Sequence, residues 1–245
     1  MIAEIKRELK KLADPIRAKA SLRYFKTGKG EYGEGDKFLG ISCPNMRKIA
    51  KQFNDSPISE IQEMLTSPYH EFRQVALFIL VNKFQKVDKT KQKEIYNFYL
   101  SQTDRINNWD LVDLSAHKIV GAYLFERDKN ILYKLAKSKN IWDRRIAIVA
   151  TFYFISKGRL DDTFKIAERL LKDDHDLIHK AVGWALREAG KRDRARLVKF
   201  LNENRLKMSR TTLRYAIEKF SPAERKKCLS KPHDLLTIST MVPLS

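Results

Sequence analysis

Apolar residues along this chain recur mostly three and four positions apart, and breakers are scarce where they do. No proline occurs between Tyr69 and Ser221. Within that stretch Phe72, Val75, Ala76, Ile79 and Leu80 form one stripe, the mark of a helix that buries a single face. Ile146, Ile148, Ala150 and Phe154 continue the pattern on a more uniformly apolar segment, which predicts a helix deep in a core. The opening MIAEIKRELKKLAD reads as a charged helix rather than a signal peptide. Leu, Ile, Ala, Lys and Glu dominate, a composition that favours successive helices over strands. Thr66-Ser67-Pro68, Asp161-Asp162 and Ser221-Pro222 supply the expected caps and turns.

Laying the predicted helices over one another exposes a repeat. Phe72-Arg73-Gln74-Val75-Ala76, Asp143-Arg144-Arg145-Ile146-Ala147 and Ile178-His179-Lys180-Ala181-Val182 share a basic, polar, apolar rhythm. Asn108-Trp109-Asp110-Leu111-Val112 falls between them, and Leu213-Arg214-Tyr215-Ala216-Ile217 extends the series. First residues at 72, 108, 143, 178 and 213 step by 35 or 36. Steps of that size suit helix pairs stacked as a solenoid of the HEAT or TPR kind. The expected fold is therefore an all-α, HEAT-like helical-repeat superhelix with a basic concave face. Its expected extent is one domain over residues 1–245, with a Gly-rich insertion at 27–37 and a C-terminal tail at 230–245.

Charge narrows the choice of partner. Lys and Arg number 49 against 30 Asp and Glu, a formal net charge of +19. An excess spread along the whole chain attracts polyanions, of which nucleic acid is the commonest for an intracellular protein. Cys43 and Cys228 are the only cysteines; a disulfide framework is not expected, and a cytoplasmic setting is. No run of about 18 apolar residues is present, so no membrane span is predicted.

Chemistry concentrates at residues 108–113. In the repeat register Asp113 takes the position held by Leu77, Ile148 and Gly183 elsewhere. Trp109, four residues earlier, shares its helix face, and Asn107-Asn108 provide an N-cap. Arg144 and Arg145 lie one repeat along. Trp184 lies one further, between Lys180 and Arg187, an aromatic with cations at helical spacing suited to sugar and phosphate. The same residues also suit a core tryptophan, an interhelical anchor and structural ion pairs; taken alone, they leave both readings open.

Together these segments carry a family resemblance. Arg23-Tyr24, Phe38-Leu39-Gly40-Ile41, Trp109-Asp110-x-Val112-Asp113, Ile141-Trp142-x-x-Arg145 and Gly183-Trp184-x-Leu186-Arg187-Glu188 resemble the AlkD-like alkylpurine DNA glycosylases of the DNA alkylation repair family, over about residues 15–220. The resemblance implies HEAT-like repeats and hydrolytic release of positively charged N3- or N7-alkylated purines without a base-flipping pocket. It implies Asp113 as the catalytic carboxylate, Trp109 and Trp184 against the deoxyribose, and Arg145 on the phosphate. Arg144, Lys180 and Arg187 are expected DNA contacts, with Tyr24, Lys26 and Lys29 joining them if the loop faces the duplex. The expected partner is double-stranded DNA, alkylated or distorted, bound by a nucleoid-associated monomer in the cytoplasm. No metal, cofactor or membrane is implied.

Two features set the chain apart from the compact family members. TGKGEYGEGDK at 27–37 lengthens the link after Arg23-Tyr24, and Ser42 follows Gly40-Ile41 where a glutamine is expected. Both keep open a relative that binds distorted or branched DNA without catalysis, and a helical scaffold for protein or RNA remains a third reading. Gly28-Lys29-Gly30-Glu31-Tyr32-Gly33 matches a nucleotide-loop pattern, but no strand precedes it, so a flexible loop or small hairpin is expected. His175 and His179 stand four apart, but nothing near them in sequence suits a third metal ligand.

Overall fold

The computed structural model describes residues 1–230; the expected tail lies, from residue 231 on, outside the described residues. Those described form helices joined by short turns, with no β-strand among them and one isolated bridge between Lys37 and Tyr69. The all-α helical-repeat reading holds. No described helix is long and apolar enough to cross a membrane.

The chain divides into two compact units, Met1–Tyr123 and Leu124 onward. The first contains α1 (Ile2–Lys11), α2 (Pro15–Tyr24), α3 (Cys43–Gln52), α4 (Ile58–Leu65), α5 (His70–Lys86), α6 (Lys89–Ser101) and α7 (Trp109–Ala116). A π-helical turn, His117–Gly121, follows α7, and α8 (Ala122–Leu124) is where the chain passes from one unit to the next. In the first unit α5 is the hub, packed against α3, α4, α6 and α7. Its buried side chains cover every face, from His70 through Val81, because neighbours surround it.

The second unit contains α9 (Asn130–Leu135), α10 (Ile141–Ser156), α11 (Asp161–Leu170), α12 (Asp176–Arg192), α13 (Arg194–Asn204), α14 (Arg210–Ala216) and α15 (Pro222–Leu229). Here α12 is the hub, against α10, α11, α13 and α14. Gly183 makes its closest contact possible: a Cβ there would stand 2.5 Å from Cβ of Tyr215 and 2.6 Å from the Thr212 carbonyl oxygen.

Burial confirms the repeat register. Counting three, four, seven and eight residues from the first four repeat starts gives Val75, Ala76, Ile79 and Leu80 on α5, and Leu111, Val112, Ser115 and Ala116 on α7. The same count gives Ile146, Ala147, Ala150 and Thr151 on α10, then Ala181, Val182, Ala185 and Leu186 on α12. All sixteen are buried. The polar members are satisfied: Ser115 donates to the Leu111 carbonyl at 2.5 Å and meets Tyr99 Oη at 2.9 Å, and Thr151 donates to the Ile148 carbonyl at 2.7 Å.

Candidate functional site

The second position of three of the five repeats has a recurring structural task. Arg73 donates to the Ser67 carbonyl at 2.9 Å, Arg144 to the Ser138 carbonyl at 3.0 Å, and His179 Nε2 to the Asp173 carbonyl. In each case the acceptor lies six residues earlier, so a side chain on the helix closes the loop that feeds it. On α7 this position is Trp109. The preceding loop is closed instead by backbone bonds from Arg105 and Ile106 to the Gln102 carbonyl. Asn108 caps the helix, its Oδ1 accepting from the Trp109 amide at 2.8 Å, as expected.

Trp109 is thereby released to join an aromatic cluster. Phe25 lies nearly parallel to it, ring centroids 5.5 Å apart, and Tyr24 meets it edge-on at 5.8 Å. Phe25 also stacks on Phe38 at 5.0 Å and contacts the His70 ring at 4.7 Å. Tyr24 is 65% exposed. Asp113, one turn past Trp109, is half-buried, and its charge adds to burial in raising the Tyr99 hydroxyl pKa. His117, whose ring bonds the Asp113 backbone, is pushed down to about 4 by burial and the Lys118 charge. It is therefore neutral at neutral pH, within a π-turn of the kind often found at working sites.

The Gly-rich insertion is neither hairpin nor free loop. It forms successive turns: the Glu31 carboxylate accepts from the Gly28 amide at 2.9 Å, and that of Glu34 from the Gly30 amide at 2.8 Å. Gly33 lies so close to the Phe25 carbonyl that a Cβ would stand 2.4 Å from its oxygen. At its end Asp36 receives the Arg73 guanidinium at 2.7 Å, and Lys37 pairs with Pro68 and His70 through the backbone. The physical reason for the corrected expectation is this acidic end, which meets buried cations.

Those cations form a network that the sequence reading missed. His70, 2% exposed, donates Nε2–H to Asp110 at 2.8 Å and faces Asp36 through Nδ1 at 3.4 Å. Burial opposes protonation of the imidazole. The Asp110 carboxylate beside it, helped by Asp36 and resisted by Arg73, nevertheless lifts its pKa to about 9. Burial likewise works against Asp36, but His70 and Arg73 hold its carboxyl below the usual range. Two cations and two anions thus balance. The available signal was charge in the first turn of a helix otherwise rich in apolar residues: His70, Glu71 and Arg73. Glu71 completes the clamp, accepting from the Leu39, Gly40 and Ile41 amides at 3.0, 2.7 and 3.4 Å.

In the second unit Arg145 is buried and donates to the Leu177 carbonyl at 2.6 Å. Trp184 is half-buried against Phe152, centroids 4.2 Å apart. Arg144 also bonds Asp173 at 2.5 Å, while Arg187 binds Glu188 at 3.1 Å and Glu218. Lys180 pairs with Asp176 at 2.6 Å across one exposed turn. Lys26 and Lys29 stand exposed on the Gly-rich turns. His175 caps α12, its Nδ1 accepting from the Leu177 amide. Among the described residues no group of three or more His, Cys, Asp or Glu is placed to hold a metal.

The model of the family described as "DNA alkylation repair enzyme" matches residues 5–220. The chain belongs to that family. As a DNA alkylation repair family member it has a DNA repair role, and solved structures share its fold. One is a predicted DNA alkylation repair enzyme from Enterococcus faecalis, TM-score 0.66 and 18% identical, covering 86% of this chain and 97% of its own. Another is AlkD2 from Streptococcus mutans, TM-score 0.53 and 20% identical, covering 90% and 97% respectively. No curated protein matches this DNA alkylation repair family member.

Proposed function

We propose that the protein is a DNA N-glycosylase that excises positively charged N3- or N7-alkylated purines from duplex DNA without drawing the base into a pocket. The observation that carries this reading is α7, where the loop-closing position of the repeat is given to Trp109 and a half-buried carboxylate follows one turn later. The alkylated base is already cationic. It leaves with the electron pair of its glycosidic bond and departs neutral, while positive charge develops on the sugar. Asp113 would stabilise that oxocarbenium-like sugar, then take a proton from the water that attacks C1′. Trp109 and Trp184 would pack on deoxyribose and add cation–π attraction as the charge grows.

Arg145 is assigned the phosphate beside the lesion, and Lys180, Lys26 and Lys29 neighbouring phosphates, with Tyr24 against the strand. Arg144 and Arg187 are assigned instead to the scaffold, since their largely shielded guanidinium groups already bind Asp173 and Glu218, whereas the Lys180–Asp176 pair is open to solvent on both sides. Acting as a monomer on nucleoid DNA, the enzyme would require no cofactor, because the leaving group needs no further activation.

Base release from methylated duplex is the test. Protein in large excess should free 3-methyladenine or 7-methylguanine, and no release under those conditions sinks the enzyme reading. Asp113→Asn should cut the rate by about 10²- to 10³-fold while DNA affinity stays close to that of the parent. A parallel loss of affinity would make Asp113 structural. A second reading, a relative that binds distorted DNA without catalysis, is favoured by Phe25, which covers one face of the Trp109 indole. Release by a Phe25→Ala variant but not by the parent would support it.

A further inference from the structure

Helix α2 buries none of its side chains. A helix of ten residues is not stable alone and ordinarily earns its place by an apolar face turned to the core. This one is held by other means. Asp14 caps it, accepting from the Ile16 and Arg17 amides at 3.0 and 3.1 Å, and the Asp14 amide bonds the Leu39 carbonyl at 2.8 Å. Gly40, at φ +79°, lies against its first turn so closely that a Cβ would stand 2.2 Å from the Asp14 carbonyl oxygen. Phe25, just past its C-terminus, is anchored by Phe38 and His70. Both ends are fixed while the body faces outward.

The outward body has a definite chemistry. Ile16, Ala20 and Tyr24 fall at i, i+4 and i+8, one stripe along the helix, and Ile16 is 84% exposed. Lys19 and Arg23 flank the stripe on the same open face of the helix. The helix holds Arg17, Lys19 and Arg23 and no acidic residue. None of the three has an ion-pair partner among the described residues. In the second unit Arg144, Arg159, Lys180, Arg187, Arg194 and Arg196 each have an acid, while Arg192 and Arg214 have none among the described residues; what sets α2 apart is that its unpaired cations flank an exposed apolar stripe.

From this arrangement we infer that α2 is a docking surface for the sugar–phosphate backbone of DNA. The apolar stripe would lie on deoxyribose, and Arg17, Lys19 and Arg23 on successive phosphates. Arg17 and Arg23 are separated by about 9 Å along the axis, and their long side chains extend that span enough to meet neighbouring phosphates of one strand. Charge decides between occupants: in a second copy the same unpaired cations would face each other. The inference rests on the DNA reading proposed above, and extends it to a helix with no part in the chemistry.

The test is the salt dependence of binding to a short unmodified duplex. Arg17→Gln/Lys19→Gln/Arg23→Gln should weaken binding and lower the slope of log K against log salt by roughly 2 to 3, at about 0.9 per phosphate. Glutamine keeps the helix, and no core contact is touched. Lys89→Gln/Lys91→Gln/Lys93→Gln on α6 removes the same charge elsewhere and should leave the slope near that of the parent. Ile16→Ala should weaken binding several-fold without changing the slope. Parent-like binding by the α2 triple variant overturns the inference and leaves the DNA reading intact, whereas a parent that shows no salt-dependent binding overturns both. An equal loss in the α6 variant also overturns the inference, as does a parent dimer in sedimentation that Ile16→Ala dissolves.

Discussion

Helices α7 and α12 share a register and bury the same set of positions, yet they use the next positions differently. On α12, His179 reaches back to the Asp173 carbonyl and closes its own loop; on α10, Arg144 does the same at Ser138. On α7 that residue is Trp109, which turns to Phe25 and Tyr24. Asp113 then replaces an apolar or small residue, with Ile148 and Gly183 as its counterparts, both buried. Repetition makes such an exception readable, because the ordinary duty of a position is shown by its copies. The loop-closing task has been moved to the backbone at Gln102, and the first turn of α7 is steadied by the His70–Asp110 bond. That exchange leaves Trp109 with no part in closing the loop and sets it against Phe25 and Tyr24.

The comparison breaks first at the clamps themselves. Arg73 is buried with Asp36, so Arg73→Ala leaves an uncompensated buried carboxylate and should cost about 3–5 kcal/mol in urea unfolding. Arg144→Ala, at a more open pair, should cost less, about 1–3 kcal/mol. Equal costs would deny that the two clamps differ.

Next in size is a pH effect confined to the first clamp. His70 titrates near 9 in the folded protein, above its value of about 6.5 in an unfolded chain. Its stabilisation is therefore full below about pH 6.5 and is lost as pH rises through about 9, on the order of 3 kcal/mol. Urea midpoints should fall between those limits for the parent and stay level for His70→Gln; a level parent would refute the buried imidazolium.

The smallest effect sharpens the exception on α7. Trp109→Arg gives that helix the residue used at Arg73 and Arg144. It should leave the melting temperature near that of the parent while base release falls roughly 30-fold, the equivalent of about 2 kcal/mol of lost cation–π stabilisation. Undiminished release would remove Trp109 from the site.

Much of this was legible beforehand. The period of 35 or 36 residues predicted which positions face inward on α5, α7, α10 and α12, since burial of an amphipathic face follows from spacing alone. The same register separated Asp113 from Asp110. The glycines of the Gly-rich segment suggest a flexible loop, but its acids decide its shape. Glu31 and Glu34 fold it on itself and Asp36 ties it to Arg73, residues far apart in sequence. His70 escaped notice for a similar reason: its partners, Asp36 and Asp110, lie 34 and 40 residues away.

The sequence by itself determined the helical class, the repeat and the inward faces, because these depend on local propensity and on periodicities of a few residues. Only the tertiary structure decided which charges meet an acid within the fold. Arg144 and Arg187 look like DNA contacts in one dimension, but Asp173 and Glu218 hold them. Arg17, Lys19 and Arg23 look like an ordinary solvated helix, and none of them has an ion-pair partner among the described residues. An ion pair depends on distance in space, which spacing along the chain does not fix.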